Sequence, residues 1–263
     1  MILCDLPYGL TRNKWDSVIP MNDFAMIGSK MYDESNFMLQ QYKHGISYKE
    51  AIARWKAEKQ SGLWKQYKRI LVPNGIVILF SAGKFTSYLM TNAVVPWRYN
   101  LVWEKTQAVG FLNSHKMPMR AHEDICVFYK KLPIYNPQMS AGHVRKVSSA
   151  FHKRNCKNGG DYGSFAAMDY DSTERYPRSV VTFASDKQKE AYHPTQKPVD
   201  LCEYLIRMYT NENDTVLDNC MGSGTTGVAA VNCNRQFIGI ESDEDMFCLA
   251  KNRIASALAK TDN

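Results

Sequence analysis

Long apolar runs are missing from this chain of 263 residues. No stretch approaches the ~18 consecutive apolar residues of a membrane span, and the N-terminus has neither the charged flank nor the cleavage site of a secretory signal. The seven cysteines are odd in number and contain no C-x-x-C pair. That argues against a disulfide framework and for a reducing cytoplasm. A zinc site is not expected either: the nearest pattern, His152 and Cys156 in HKRNC, lacks a second ligand pair. The phosphate-binding pattern G-x-x-x-x-G-K-[ST] is absent, which excludes a P-loop nucleotidase. There is no internal repeat. Between Leu132 and Gly160 there is no acidic residue at all.

What is present is a globular composition, 44% apolar and 12% aromatic, long enough to bury a sizeable core. The net charge of +7 is unevenly spread. Residues 41–131 hold fifteen Lys and Arg against five acids, and residues 132–190 nine against six. The two ends are mildly acidic. Within the acid-free stretch, HVRKVSSAFHKRNCK carries five cations around Phe151. A solvated surface would account for them; so would a loop that tracks phosphates, with Arg145, Lys146, Lys153 and Arg154 as its contacts.

Strand and helix patterns alternate along the chain. Met1–Cys4, 75–80, 99–103 and 124–129 read as strands, and residues 33–71 as mostly helical, with apolar residues at three- and four-residue spacing. From about Pro133 to Ala184 periodicity fades. It returns as the helix VDLCEYLIRMYT, the strand TVLDNC, a glycine turn, the helix GTTGVAAVNC, the strand QFIGIE and a last helix, DMFCLAKNRIASALA. This order predicts an α/β fold with a mostly parallel, doubly wound sheet.

Two stretches carry chemistry. MILCDLPYGL opens with a strand too short to stand alone, followed directly by Asp5, Leu6, Pro7 and Tyr8. In open α/β sheets ligands bind at such strand ends. A plain Pro-Tyr-Gly turn is the alternative. TVLDNCMGSGTTGVAA is a strand, a glycine turn and a helix, with Gly222, Gly224 and Gly227 in a G-x-G-x-x-G pattern that presents backbone amides to a ligand. Glu241, at the end of the next strand, can accept both hydroxyls of a ribose. NAD fits the spacing, but Asp218 would set a negative charge where its pyrophosphate lies. A cationic ligand bearing an ammonium and a sulfonium, such as S-adenosylmethionine, fits better.

Taken in order, DLPYG at 5–9, HPTQKP at 193–198 and DNCMGSGTTG at 218–227 resemble the amino-methylating DNA methyltransferases of the permuted β class. NKWDSVIP, LVWEKT, GFLN, RAHEDI and RYPRSV extend the resemblance through nearly the whole chain. It implies a circularly permuted, Rossmann-like methyltransferase fold with S-adenosylmethionine as cofactor and double-stranded DNA as partner. In the catalytic motif, Asp5 would accept a hydrogen bond from the target amine, Leu6 would act through its carbonyl, Pro7 would hold Leu6 extended, and Tyr8 would stack on the flipped base. Leu6 departs from the family's usual proline. Asp218, Met221, Gly222, Gly224, Thr225 and Glu241 would hold the cofactor, with Thr195 and Lys197 at its methionine carboxylate. Cys4 reads as core. His122 and Glu123 read as structural residues at the start of a strand.

The expected activity is site-specific adenine-N6 methylation of duplex DNA, since Asp in the first motif position favours adenine. Cytosine-N4 methylation and a catalytically impaired DNA-binding relative are the alternatives. The expected organisation is a catalytic half at 1–132 with a helical insertion near 30–62, a target-recognition region at 133–185 and a cofactor-binding half at 186–263. The resemblance further suggests the cytoplasm of a bacterial or phage-infected cell, with a second copy of the chain and a cognate restriction endonuclease as candidate partners. Relatives carry a further strand and an acid near the cofactor's adenine, upstream of the catalytic strand. That acid has no counterpart here, so a more open adenine end is expected.

Overall fold

The structure is a computed structural model, and it describes residues 1–8, 16, 19, 45–47, 49–50, 53, 62–150, 168–185 and 196–261. Seven strands form one sheet in the order β7-β3-β4-β2-β1-β8-β9. They are β1 (Ile2–Cys4), β2 (Ile76–Ser81), β3 (Trp97–Val109), β4 (Arg120–Tyr129), β7 (Val180–Phe183), β8 (Thr215–Asp218) and β9 (Gln236–Gly239). Among the described residues, the helices with both ends in view are α1 (Gly62–Ile70), α2 (Lys84–Thr91), α3 (Val199–Tyr209), α4 (Thr225–Asn232) and α5 (Glu244–Thr261).

The three residues of β1 are stabilised from both sides. Ile2, Leu3 and Cys4 pair in parallel with Val77, Ile78 and Leu79, and Ile2 also pairs with Leu217 of β8. A strand buried on both faces and both edges needs apolar residues throughout, which is what ILC supplies. Successive side chains point to opposite faces. Leu3 joins Ile76, Ile78 and Phe80 in a core completed by Leu201, Leu205 and Ile206 of α3 and by Ala229 and Ala230 of α4. Ile2 and Cys4 join Val77 and Leu79 in a second core with Trp64 and Tyr67 of α1 and with Phe85 and Leu89 of α2. Cys4 is fully buried there, as its place in the strand implies.

The sheet is mostly parallel, and β4 is the strand that runs against its neighbours β2 and β3. Residues 110–119 join β3 to β4, fewer than the dozen or more that a parallel crossover needs, so the two strands pair as an antiparallel hairpin. β3 is far longer than the stretch 99–103 that apolarity marks, because its outer half pairs through polar and exposed residues. Of the expected helical stretch 33–71, Lys49, Glu50, Ala53 and Gly62–Ile70 are helical and most of the rest lies outside the described residues.

The chain divides into two compact units, residues 1–136 with 179–263, and residues 137–178. The smaller unit falls within the stretch 133–185. β7 lies inside that range, yet it pairs in parallel with β3, Val102 with Val180 through Lys105 with Phe183. Its four residues are too few for periodicity to register. The smaller unit holds a two-stranded pair, β5 (Lys146–Ser148) and β6 (Tyr170–Ser172), braced by the Arg175 guanidinium donating to the carbonyls of Val144, Ser172 and Glu174.

Candidate active site

β1 and β8 are neighbours in the sheet and run in parallel, so their carboxyl ends carry Asp5 and Asp218 to one edge. Asp5 stands just beyond β1 with both carboxylate oxygens engaged. Oδ1 accepts the Tyr8 hydroxyl at 2.8 Å, and Oδ2 accepts the Lys197 ammonium at 2.5 Å. Lys197 stands two residues before α3 and 192 positions from Asp5. Its ammonium also lies 3.3 Å from Glu123 Oε2, while Lys105 bonds Glu123 Oε1 at 2.5 Å. Two carboxylates and two ammonium groups thus alternate in a row, Asp5, Lys197, Glu123 and Lys105, drawn from β1, the entry to α3, β4 and β3.

The row is charge-balanced and mostly out of water. Lys197 is 7% exposed; the Lys105 and Glu123 side chains are 13% exposed. Burial pushes the Asp5 carboxyl above its ordinary pKa; Lys197 and the Tyr8 hydroxyl oppose the push, and Glu123 adds to it. Burial acts on Glu123 too, but Lys197 and Lys105 outweigh it and hold that carboxyl below the usual range. For Lys197 burial works downward, and its two carboxylate partners reverse the sign. Burial pushes the Tyr8 phenol well up, so it stays protonated as a donor to Asp5. The Tyr8 ring stacks on Phe85 with centroids 5.1 Å apart, and the Lys197 ammonium sits 5.5 Å from its centre and 5.2 Å from that of Phe80. Leu6 is buried in the core and Pro7 is half-buried, so the backbone between Asp5 and Tyr8 is anchored by a side chain on the α1 and α2 face.

The row brings together residues that the sequence names separately. Lys197, assigned by resemblance to a cofactor carboxylate, pairs here with Asp5 and Glu123. Glu123, read as structural, joins Lys197 to Lys105. The sequence carries a signal for Glu123 and Lys105. Leu101 and Trp103 on β3, and Ile125 and Val127 on β4, face one core, and Lys105 and Glu123 continue those same alternating rows. Charges at core-facing positions need partners.

The glycine turn lies beyond β8. Gly222 has φ +50° with nothing near the position a Cβ would take, whereas Gly224, at φ +80°, would bring a Cβ to 2.8 Å of Ala250 Cβ on α5. The first leaves room for a ligand; the second lets the last helix close on the turn. The Gly222 amide donates to Glu241 Oε2 at 2.8 Å, and Glu241 Oε1 takes the amides of Ser242 and Asp243. Met221 is buried, with its amide on the Ile240 carbonyl. Ser223 donates to Gln196 Oε1 at 3.5 Å, which joins the turn to the residue beside Lys197. Thr225, 6% exposed at the start of α4, has a buried hydroxyl oxygen with no hydrogen-bond partner.

Asp218 is expected to face the ligand, but it is only 3% exposed. Its carboxylate accepts the Cys220 amide at 3.0 Å, the Thr226 hydroxyl and the Cys4 thiol, so it braces the turn from beneath. Burial raises it to about 6, against these bonds. Of the remaining residues, Thr195, Lys153 and Arg154 lie outside the described residues. Lys146 is exposed on β5. Arg145 is held in a bidentate pair with Asp171, at 2.7 and 2.5 Å, so its charge is already answered.

A mostly parallel sheet whose adjacent strand ends carry an acid-Leu-Pro-Tyr turn and a glycine turn defines a Rossmann-like methyltransferase. The chain belongs to the N6/N4 DNA methylase family, whose pattern matches residues 1–252. It is 25% identical over 280 aligned positions to the type II methyltransferase M.HindIII of Haemophilus influenzae, spanning 96% of this chain and 88% of that one. It is 28% identical over 193 positions to M.HpaI of Haemophilus parainfluenzae, spanning 72% and 56%. The fold is shared with the crystal structure of the M1.HpyAVI–SAM complex, with a TM-score of 0.52 and 22% identity over 97% of this chain and 99% of that one. It is shared also with the cytosine-N4-specific PvuII DNA methyltransferase, at 0.50 and 14% over 98% and 84%.

Proposed function

We propose that this chain transfers a methyl group from S-adenosylmethionine to N6 of adenine in duplex DNA, with Asp5 as the residue that receives the target amine. The observation that carries this reading is the meeting of Asp5, Lys197 and the Gln196–Ser223 link at the ends of neighbouring strands. The glycine turn suits the cofactor. Gly222 leaves open space, and the buried, unpartnered Thr225 hydroxyl stands at the start of a helix, where backbone amides favour a carboxylate. Thr225, Gly222 and Glu241 would hold it. When bound, S-adenosylmethionine supplies an electrophilic methyl on a sulfonium that leaves as a neutral thioether.

The protein's part is orientation and charge. An adenine amine is a poor nucleophile because its lone pair is spread into the ring. A carboxylate has about four lone-pair sites, so Asp5 keeps acceptor capacity beside Tyr8 and Lys197. Asp5 and the Leu6 carbonyl accept the two N–H bonds, turn the lone pair out of conjugation and stabilise the positive charge that develops on nitrogen. The raised pKa of Asp5 then suits its carboxylate to take the proton that the methylated amine gives up. The unit 137–178 reads the DNA sequence in this proposal, supported by its basic, acid-free strand segment and exposed Lys146.

Incubation with S-adenosylmethionine and unmethylated plasmid, then mass spectrometry of the hydrolysed nucleosides, tests the reading. N6-methyldeoxyadenosine is the expected product, lost in Asp5→Asn. N4-methyldeoxycytidine would transfer the site to cytosine, and neither product would refute methyl transfer to DNA.

A further inference from the structure

The ribbon of β3 and β4 outgrows the sheet it belongs to. β3 runs in the same direction as β1, since β4 is antiparallel to both β3 and β2, and β2 is parallel to β1. Its far end therefore rises at the edge that carries Asp5 and the glycine turn. The pair Val109–Arg120 lies three positions along β4 from Trp103–Glu123, roughly 10 Å at about 3.3 Å per residue, and β3 covers the same span with six positions through a bulge between Glu104 and Val109. The foot of the ribbon supplies Lys105 and Glu123 to the active-site row; its tip extends well past them.

The tip is an ordered turn. Gly110 takes φ +97°, and a single helical turn at Phe111–Asn113 is closed by the amides of Asn113 on Gly110, Ser114 on Phe111 and Met117 on Asn113, at 2.9 to 3.0 Å. On this turn Phe111 is 73% exposed and Leu112 is 93% exposed, with Met117 beside them at 59%. Large apolar side chains held into water by a hydrogen-bonded turn contribute nothing to either core. From Thr106 to His122 there is no acid, while Lys116 and Arg120 are exposed. The tip is thus apolar at its point and cationic on its flanks.

We propose that this tip is a wedge for duplex DNA: Phe111 and Leu112 enter the base stack and occupy the gap left by the flipped target, while Lys116 and Arg120 meet the flanking phosphates. The proposal rests on the reading of the chain as a DNA methyltransferase. B-DNA's major groove, about 12 Å wide and about 8.5 Å deep, admits a two-stranded ribbon. Phe and Leu are among the side chains that unstack base steps. A target base must leave the duplex before its amine can reach Asp5. A second copy of the chain is a poorer occupant, because it would set like cations against these.

The test uses the full chain with saturating unmethylated plasmid. The Phe111→Ala/Leu112→Ala variant should keep its melting temperature and its affinity for S-adenosylmethionine, and lose methyl incorporation by at least about tenfold. The bulky apolar variant Phe111→Trp/Leu112→Met should stay within about twofold of the parent, since a wedge needs size and apolarity. An alanine variant as fast as the parent overturns the proposal, as do two variants that are equally slow. A loss accompanied by a smaller mass in sedimentation also overturns it, and assigns the tip to a second copy. If the parent chain itself methylates neither native nor denatured plasmid, the underlying reading fails, and that result is separate from any comparison of variants.

Discussion

Replacing Lys197 by methionine keeps the length of the side chain and removes its charge. The ammonium is 2.5 Å from Asp5 and 3.3 Å from Glu123, on a side chain 7% exposed, with the Asp5 side chain 26% exposed. Breaking a buried ion pair from one side costs about 3–5 kcal/mol. Water reaches part of Asp5, so about 2–3 kcal/mol is the loss expected here. Burial already raises the Asp5 pKa, and Lys197 is the main force against it; without Lys197, burial and the repulsion of Glu123 act in one direction. At about 1.4 kcal/mol per unit, the acid limb of methyl transfer should move up by about one to two pH units. Single-turnover methyl incorporation into plasmid, followed from about pH 5 to pH 9, measures that limb. Lys197→Arg retains the cation and should leave the limb near its original place. A limb that does not move in Lys197→Met would refute the argument that Lys197 sets the ionisation of Asp5, however much the rate falls.

Asp218 gives a stability test with a definite sign. Its pKa rises from 3.8 to about 6 on folding, so between these values the native chain holds more protons than the unfolded one and stability falls as pH rises. Asp218→Asn should lack that decline and gain up to about 3 kcal/mol on the parent in urea unfolding between about pH 4 and pH 6; parallel pH dependences would refute it. Thr225→Val should stabilise the chain alone by about 1 kcal/mol, because a buried hydroxyl without a partner is removed, and should weaken S-adenosylmethionine binding in calorimetry. Unchanged affinity would take that hydroxyl out of the cofactor site. Asp171→Ala should free the Arg145 guanidinium and steepen the salt dependence of DNA binding by about one unit of slope. An unchanged slope would mean that Arg145 does not reach a phosphate.

Much of the sheet is legible before folding because β1, β2 and β8 are short apolar runs ended by turn residues, and the glycine turn fixes the step from β8 to α4. The polar reach of β3 is not legible, because its pairing is by backbone and its side chains carry little apolar signal, and β7, though it reads VVTF, is too short for periodicity to register. The two motif residues Asp5 and Lys197 can each be picked out, but their contact cannot: nothing local relates positions 192 apart. Lys105 and Glu123 lie between these cases. Each is ordinary as a strand residue and conspicuous only once its parity with Trp103 and Ile125 is counted. Asp218 is legible as a carboxylate at a strand end, whereas its bonds from Cys220, Thr226 and Cys4, all set by the fold, are not.

The reversed direction of β4 has a consequence for how such a chain can change over time. A parallel crossover commits a helix and its packing, so its length is tied to the layers around it. The β3–β4 ribbon is tied only to itself beyond the sheet. Two residues added to each strand would restore the inward and outward order of every side chain below them and carry the tip about 7 Å further. One residue added to a single strand would instead form a bulge and swing the tip to a new heading. Reach and aim are therefore separately adjustable at this place, while Lys105 and Glu123 at the foot keep their positions beside Asp5.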